Sequence, residues 1–176
     1  MREGLVDLEG SGRPLKAGAQ RLRDVDPGAR VEVTVTLRGP ELPDPGLPGA
    51  EPLSRSDFAS AYGASPSDAA AVSAALERFG LTIDEVSLAA RSMRVSGTAA
   101  QMDAAFDAGL GVYSSADQGE FRGRHGNLGV PGDVAGIVTG VFGLDERRVA
   151  RRAQAAAAPP AVTALRPANL EHRYSF

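Results

Sequence analysis

The chain has 176 residues and a formal net charge of −3 at pH 7, so its bulk charge provides no attraction to nucleic acid or to an anionic membrane surface. It contains no cysteine, which excludes disulfides, thiolate metal sites and cysteine nucleophiles. This length fits one core of about 100–150 residues with extensions, and an aromatic content of 5% without Trp predicts an aliphatic core.

The N-terminal segment carries no targeting signal of the usual kind. Residues 1–20 lack the apolar stretch of a conventional signal peptide, and no later run approaches the ~20 apolar residues of a membrane span. We therefore expect no membrane partner, and export would require a signal that was removed or is unconventional. Residues 1–29 carry glycine, proline and charge without periodicity, which predicts an extension packed loosely along the domain.

The segment VEVTVTL, residues 31–37, alternates strictly between apolar and polar side chains. A period of two predicts a half-buried strand in an antiparallel sheet with one face on the core. The proline-rich segment 39–52 cannot form regular structure, and it predicts a surface crossover loop.

Three helices are predicted next, because suitable residues mark both of their ends. Side chains that can accept from free N–H groups stand at the three starts: Ser54, Ser65 and Thr98. Residues that adopt a left-handed conformation easily stand at the three ends: Gly63, Gly80 and Gly109. Apolar residues recur three or four apart within each segment, so each helix is expected to bury one face.

Strand patterns surround the third helix. LTIDEV and RSMRVSG predict two strands joined by a turn, and LGVYSSADQGEFRG predicts a strand, a turn and an edge strand. A short apolar helix is expected at 134–138, before VFGLD. The order strand, helix pair, two strands, helix, strand predicts a ferredoxin-like split βαβ sandwich of the α+β class, with an antiparallel sheet and the helices on one face.

The sheet face away from the helices is predicted to be polar. It would remain in water or be available to a partner. Its expected side chains are Glu32, Thr34, Thr36, Ser92, Arg94 and Ser96.

The residues indicate little chemistry. The recognisable Ser and Thr residues are helix caps or outward strand positions, and neither His stands near a plausible nucleophile in sequence. With two His, no Cys and no HxxxH motif, a transition-metal site is not expected. Arg122 and Arg124 are interpreted as solvated side chains on an edge strand, with pairing to acids of a partner as the alternative.

The run ERRVARR is the densest positive patch. It lacks the interleaved aromatic residues of a nucleic-acid site, so we do not expect a nucleic-acid partner. Together with AQAAAAPPAVTA, which can form no core, it predicts an exposed, protease-sensitive junction. The arginines of this junction are Arg147, Arg148, Arg151 and Arg152.

Two longer stretches resemble a known family. They are similar to the two halves of the activation prodomain of sedolisin-type serine-carboxyl peptidases, the kumamolisin group. The first stretch is PLSRSDFASAYGASPSDAAAVSAALERFGLTI, and the second is GTAAQMDAAFDAGLGVYSSADQGEFRGRHGNLGVPGDVAGIVTGVFGLDER. The resemblance covers residues 30–148. It implies a ferredoxin-like prodomain that assists folding of the catalytic domain and holds it latent until acid-triggered autocleavage. The family's catalytic residues and calcium site lie in the mature domain, so the resemblance implies neither a catalytic residue nor a cofactor in this chain.

The tail LRPANLEHRYSF is similar to the segment with which mature sedolisin-type enzymes begin. The matching positions are Pro167, Leu170, Tyr174 and Phe176. The expected organisation is an extension at 1–29, the prodomain at 30–150, a flexible processing linker at 151–164 and the start of a catalytic domain at 165–176. Cleavage is expected in the linker before Leu165. The positions singled out there are Arg151, Arg152, Pro159, Pro160, Ala164 and Leu165.

The resemblance thus implies a non-catalytic propeptide that acts as intramolecular chaperone and inhibitor, with the cognate catalytic domain as partner. We expect the polar face to dock on that domain, and loss of charge at carboxylates such as Glu32 or Glu120 to weaken the complex in acid. The isolated chain is expected to be a monomer, secreted with its parent enzyme. Two alternatives stay open: a free-standing interaction module or trans-acting inhibitor, and a small ligand-binding or enzymatic domain with a polar pocket of titratable groups.

Overall fold

The computed structural model describes residues 4–42 and 53–148. In chain order the elements of this part are β1 Leu5–Asp7, β2 Gln20–Asp24, β3 Arg30–Leu37, α1 Arg55–Tyr62, α2 Pro66–Glu77, β4 Thr82–Ser87, β5 Ser92–Thr98, α3 Ala99–Phe106, β6 Gly111–Ser115, β7 Gly119–Gly123, β8 Gly129–Pro131, a 3-10 turn Gly132–Val134 and β9 Val138–Phe142. No helix of the described residues is both long and apolar enough to cross a bilayer.

The central sheet has four strands in the order β4-β5-β3-β9, and each neighbouring pair is antiparallel. The strands β3 and β4 therefore run parallel to each other, with β5 between them and α1 and α2 in the connection. This is the split βαβ arrangement, so the predicted ferredoxin-like α+β class is confirmed.

The fourth strand of this sheet is not the one that the sequence suggested. The strand after α3, β6, leaves the central sheet and forms a three-stranded sheet in the order β2-β6-β7. Two aromatic residues of this sheet, Tyr113 and Phe121, form a small separate core with Ala19. The fourth strand of the central sheet is instead β9, at its edge, and the predicted short helix at 134–138 is a 3-10 turn that ends at Val134.

The predicted loose extension contributes two strands to the sheets. β1 pairs with β8, and β2 pairs with β6. Leu8 is buried in the main core, although it lies far from the rest of that core in sequence. Residues 4–24 are therefore an integral part of the fold.

The main core lies between the central sheet and two of the helices. The apolar side chains of β3 are all buried, as the alternation predicts: Val31, Val33, Val35 and Leu37. They share the core with residues of α2 and α3, namely Val72, Leu76, Met102 and Phe106. Each such side chain contributes about 1.5–3 kcal/mol by leaving water. The helix α1 differs from the prediction, because none of its residues is buried.

The helix ends agree with the sequence in part. Thr98 forms a full capping box with Gln101, and the hydroxyl of Ser54 accepts from the Asp57 amide at 3.1 Å. The hydroxyl of Ser65 makes no such bond, and α2 begins there at a proline. The residue that follows α3, Asp107, is left-handed with a φ of 48°. It lies two residues before the expected glycine.

Candidate partner interface

The side of the central sheet that faces away from α2 and α3 is called the open face here. It is formed by the outward side chains of β4, β5, β3 and β9. Five of the six predicted interface residues are exposed or half-buried on it: Glu32, Thr34, Thr36, Ser92 and Arg94. The register brings them together across β3 and β5, where Thr34 lies opposite Arg94 and Thr36 opposite Ser92.

Ser96 departs from this prediction. It lies opposite Glu32 in the register, but it is fully buried. Its hydroxyl accepts a hydrogen bond of 2.9 Å from the guanidinium of Arg30, which belongs to the neighbouring strand. This hydroxyl already has a partner within the domain, so Ser96 is not an exposed residue of the open face.

Charged residues form a row across three strands of the open face. The guanidinium of Arg94 donates to Glu85 on β4, and its Nε atom lies 4.0 Å from a carboxylate oxygen of Glu32 on β3. All three side chains are at least half exposed. Water and salt screen such pairs, so they stabilise the fold little. The charges can therefore exchange their present partners for those of a docking protein.

Phe142 is an open-face residue that the sequence reasoning missed. It lies opposite Thr34 in the pairing of β3 with β9, and 55% of its surface is exposed. Its ring covers Gly140, where an added Cβ would come within 2.7 Å of the ring. The segment VFGLD shows no clear alternation in the sequence, so this exposed side chain is apparent only once 138–142 is seen to be a strand. An exposed aromatic residue on a polar face is a typical anchor for a protein partner.

Glu120, one of the suggested acid-sensitive carboxylates, lies elsewhere. It belongs to β7 in the three-stranded sheet and pairs with Arg23 at 2.7 Å. The hydrogen bond from Arg23, and then its charge, hold the pKa of Glu120 below the usual range. It keeps its charge to lower pH than a free carboxyl, so it is a poor acid trigger at the open face.

The arginines of the predicted edge strand donate to other residues of the domain. Arg122 donates to the carbonyls of Gly143 and Leu144 and pairs with Glu146 at 2.9 Å. Arg124 is 4% exposed and donates to two carbonyl groups. The interpretation of these arginines as solvated side chains is therefore wrong, and pairing with acids of a partner stays a prediction.

The first arginine of the predicted junction, Arg147, is held by other residues of the domain. Arg147 pairs with Asp145 at 2.6 Å and donates to the carbonyl of Pro14 at 2.7 Å, so its side chain is held within the domain. Arg147 is thus a structural residue. The predicted processing positions Arg151, Arg152, Pro159, Pro160, Ala164 and Leu165 lie outside the described residues.

The described ranges 4–42 and 53–148 contain no group of three acidic or histidine residues that could hold a metal ion. The histidine His125 forms a hydrogen bond with Tyr113, whose hydroxyl lies 3.1 Å from its Nδ1 atom.

Comparison with known proteins supplies the family. The model of the family "Pro-kumamolisin, activation domain" matches residues 17–147. The chain belongs to this family. The match begins at residue 17, close to β2, so it includes part of the segment that the sequence alone suggested was an extension. It ends at 147, the arginine that is still held within the domain.

Two relatives place this activation domain in the sedolisin family. Kumamolisin of Bacillus sp. (strain MN-32) is 37% identical over 99 residues, which are 56% of this chain and 18% of that protein. Tripeptidyl-peptidase sed5 of Aspergillus fumigatus is 28% identical over an aligned length of 200 residues, covering 98% of this chain and 34% of that protein. This chain thus spans about a third or less of the relatives that it matches.

Proposed function

We propose that this chain is the propeptide of a sedolisin-type serine-carboxyl endopeptidase, which it helps to fold and keeps inactive until acid-triggered autocleavage. Membership of the pro-kumamolisin activation domain family supports the propeptide role. The observation that carries the mechanism is the open face, because this polar surface with one exposed aromatic residue has no cover within the described part of the chain. The chain itself supplies no catalytic group or cofactor in this proposal, and calcium belongs to the catalytic domain.

The open face docks on the catalytic domain. Phe142 enters an apolar pocket of the partner, and the row of Glu85, Arg94 and Glu32 aligns with complementary charges. Such a division of roles is usual at protein interfaces, where an aromatic residue supplies affinity and charges supply orientation and association rate. The rigid antiparallel sheet provides a preformed template on which the enzyme completes its folding.

The segment after Arg148 occupies the substrate cleft in this proposal. Residues 151–164 are rich in Ala and Pro, and an extended backbone of this kind can pair with the strands of a peptide-binding cleft. Cleavage before Leu165 releases the propeptide. The parent protein is secreted, and the free propeptide is a monomer.

Acid acts on the interface rather than on the fold of the propeptide. Four carboxylates that pair within the domain have lowered pKa values, because arginine or lysine side chains donate to them; they are Asp68, Asp117, Glu120 and Asp133. A carboxyl group with a lowered folded-state pKa contributes stability above its unfolded pKa and loses it only as the pH falls through the lowered value. The pKa of Asp117 is about 2. The domain therefore stays folded in mild acid while carboxylates at the interface with the partner become protonated.

The proposal is tested by adding the purified chain to a mature sedolisin-type peptidase at mildly acidic pH with a peptide substrate. We expect tight inhibition followed by slow recovery, with cleavage of the chain between Arg151 and Leu165. Measurement of affinity from neutral to acidic pH tests the trigger separately. Absence of inhibition and of cleavage with the cognate enzyme would refute the propeptide role, and an affinity that does not change with pH would refute the trigger.

A further inference from the structure

A cleft of about 440 Å³ lies beside the open face, between the N-terminal segment 8–14 and β9. β9 is an edge strand of the central sheet, since it pairs only with β3 among the described strands. Phe142 lines the cleft as well as standing on the open face, so the two surfaces are continuous. A protein docked on the open face would reach this cleft without crossing the rest of the domain.

Two arginines line the cleft without an acidic partner in the described part of the chain. Arg124 is 4% exposed, and its hydrogen bonds go to the backbone carbonyls of Ser11 at 2.7 Å and Gly126 at 2.9 Å. Arg13 is half-buried, and its guanidinium makes no hydrogen bond or ion pair with another described residue. The only acid among the lining residues, Glu9, is exposed and makes no ion pair with either of them.

The local charge favours an anion. Burial lowers the pKa of Arg124, and the charges of Arg13 and Arg147 lower it further, while Asp145 raises it. Asp145 is itself occupied by Arg147 at 2.6 Å. A buried cation whose neighbours are mostly cations is costly until an anion reaches it, and a guanidinium binds a carboxylate through two parallel hydrogen bonds.

The shape of the cleft favours an extended polypeptide. Its walls include Gly10, where an added Cβ would meet no atom within 4 Å, so space is left beside the backbone there. The edge of β9 can pair with an added strand, and peptides commonly bind in this way to a free sheet edge.

From these features we infer that the cleft binds an extended segment of the peptidase domain, with a carboxylate side chain of that segment between Arg13 and Arg124. This inference rests on the proposed function, because the occupant is a part of the same partner that covers the open face. It adds a second contact, at the edge of the sheet, which fixes the orientation of the partner on the open face.

The first test uses peptides in place of the partner. The pentapeptide acetyl-Thr-Val-Asp-Val-Thr-amide and its Asn counterpart are titrated into the full chain, and amide resonances are followed by NMR. We expect shifts at 139–142 and 8–14, with the Asp peptide binding about tenfold more tightly, as a charge-assisted pair provides. Arg13→Gln should remove this preference, whereas Arg55→Gln, at an exposed position on α1, should keep it. Binding elsewhere, equal binding of the two peptides at the cleft, or no binding would overturn the inference.

The second test separates this inference from the proposed function. Arg13→Glu is compared with the unchanged chain in the inhibition assay, and thermal unfolding of both is measured. The inference expects inhibition weakened by about tenfold or more with an unchanged melting temperature. If the unchanged chain inhibits and Arg13→Glu inhibits equally well, the cleft contact is wrong and the propeptide role stands. If the unchanged chain does not inhibit, the propeptide role is refuted, and binding of a peptidase segment in the cleft is refuted as well.

Discussion

Lys16 donates to Asp117 at 2.8 Å and thereby ties the N-terminal segment to the turn between β6 and β7. The same ammonium group donates to Gln118, lies 5.3 Å from the centre of the Phe121 ring and contacts Ser115. Gln118 in turn donates to the carbonyl of Glu146 and accepts from the amide of Arg148. The start of the domain and its exit are therefore joined at one hairpin turn.

The first prediction concerns the pH dependence of this contact. The hydrogen bonds from Lys16 and Ser115 lower the pKa of Asp117 to about 2. Asp117→Asn should therefore reduce the urea midpoint at neutral pH, and this difference should close only as the pH falls from about 4 towards 2. Urea unfolding of both chains at a series of pH values measures the difference. A difference that is the same at pH 2 as at pH 7 would show that the charge of Asp117 contributes nothing.

The second prediction concerns the core. Phe106 is fully buried between the helices and the central sheet, so Phe106→Ala should lower the free energy of unfolding by about 3–5 kcal/mol. Phe58→Ala is the matched control, because Phe58 lies on α1, which has no buried residue. Denaturant unfolding followed by circular dichroism measures both variants. Equal losses would mean that α1 is as important to the core as α3.

The third prediction compares two helix starts. The hydroxyl of Thr98 accepts from the Gln101 amide at 3.2 Å, and Thr98→Ala should cost about 1 kcal/mol of stability. Ser65 occupies the same position on α2 but makes no side-chain bond to the helix, so Ser65→Ala should cost much less. Thermal unfolding of the two variants distinguishes them. A larger loss at Ser65 would contradict the capping geometry described here.

The fourth prediction concerns the charges of the open face. Arg94 pairs with carboxylates of the open face and Arg78 pairs with Asp133; their side chains are 50% and 59% exposed, but only Arg94 lies on the open face. Arg94→Ala should slow association with the peptidase domain and reduce its dependence on salt, whereas Arg78→Ala should leave both unchanged. Stopped-flow mixing at two ionic strengths provides the rates. A similar effect of both variants would indicate general electrostatic attraction without a defined face.

The sequence predicts this fold best where local patterns act alone. The alternation of β3 predicts its buried and exposed sides, and the spacing of Thr98 and Gln101 predicts the start of α3. These features depend on residues that are close in the chain, so their physics is visible in the sequence.

Pairing over long distances is where the prediction fails. The residues of β2 are all exposed, so this strand shows no alternation and is defined only by its pairing with β6. The pattern of β9 is interrupted by Gly140, which hides both the strand and the exposed Phe142. Ser96 is buried although the alternation places it on the polar side, and its hydroxyl accepts from Arg30 of the next strand. In each case the deciding partner is distant in sequence.

The most direct test of docking through the open face is the inhibition of a cognate sedolisin-type peptidase by Phe142→Asp, compared with Leu15→Asp. The two positions are equally exposed, at 55% and 54%, but Leu15 lies outside the open face. If the open face docks on the peptidase, Phe142→Asp weakens inhibition by more than about tenfold while the melting temperature is kept, and Leu15→Asp inhibits like the unchanged chain. Equal inhibition by the two variants would contradict docking through the open face.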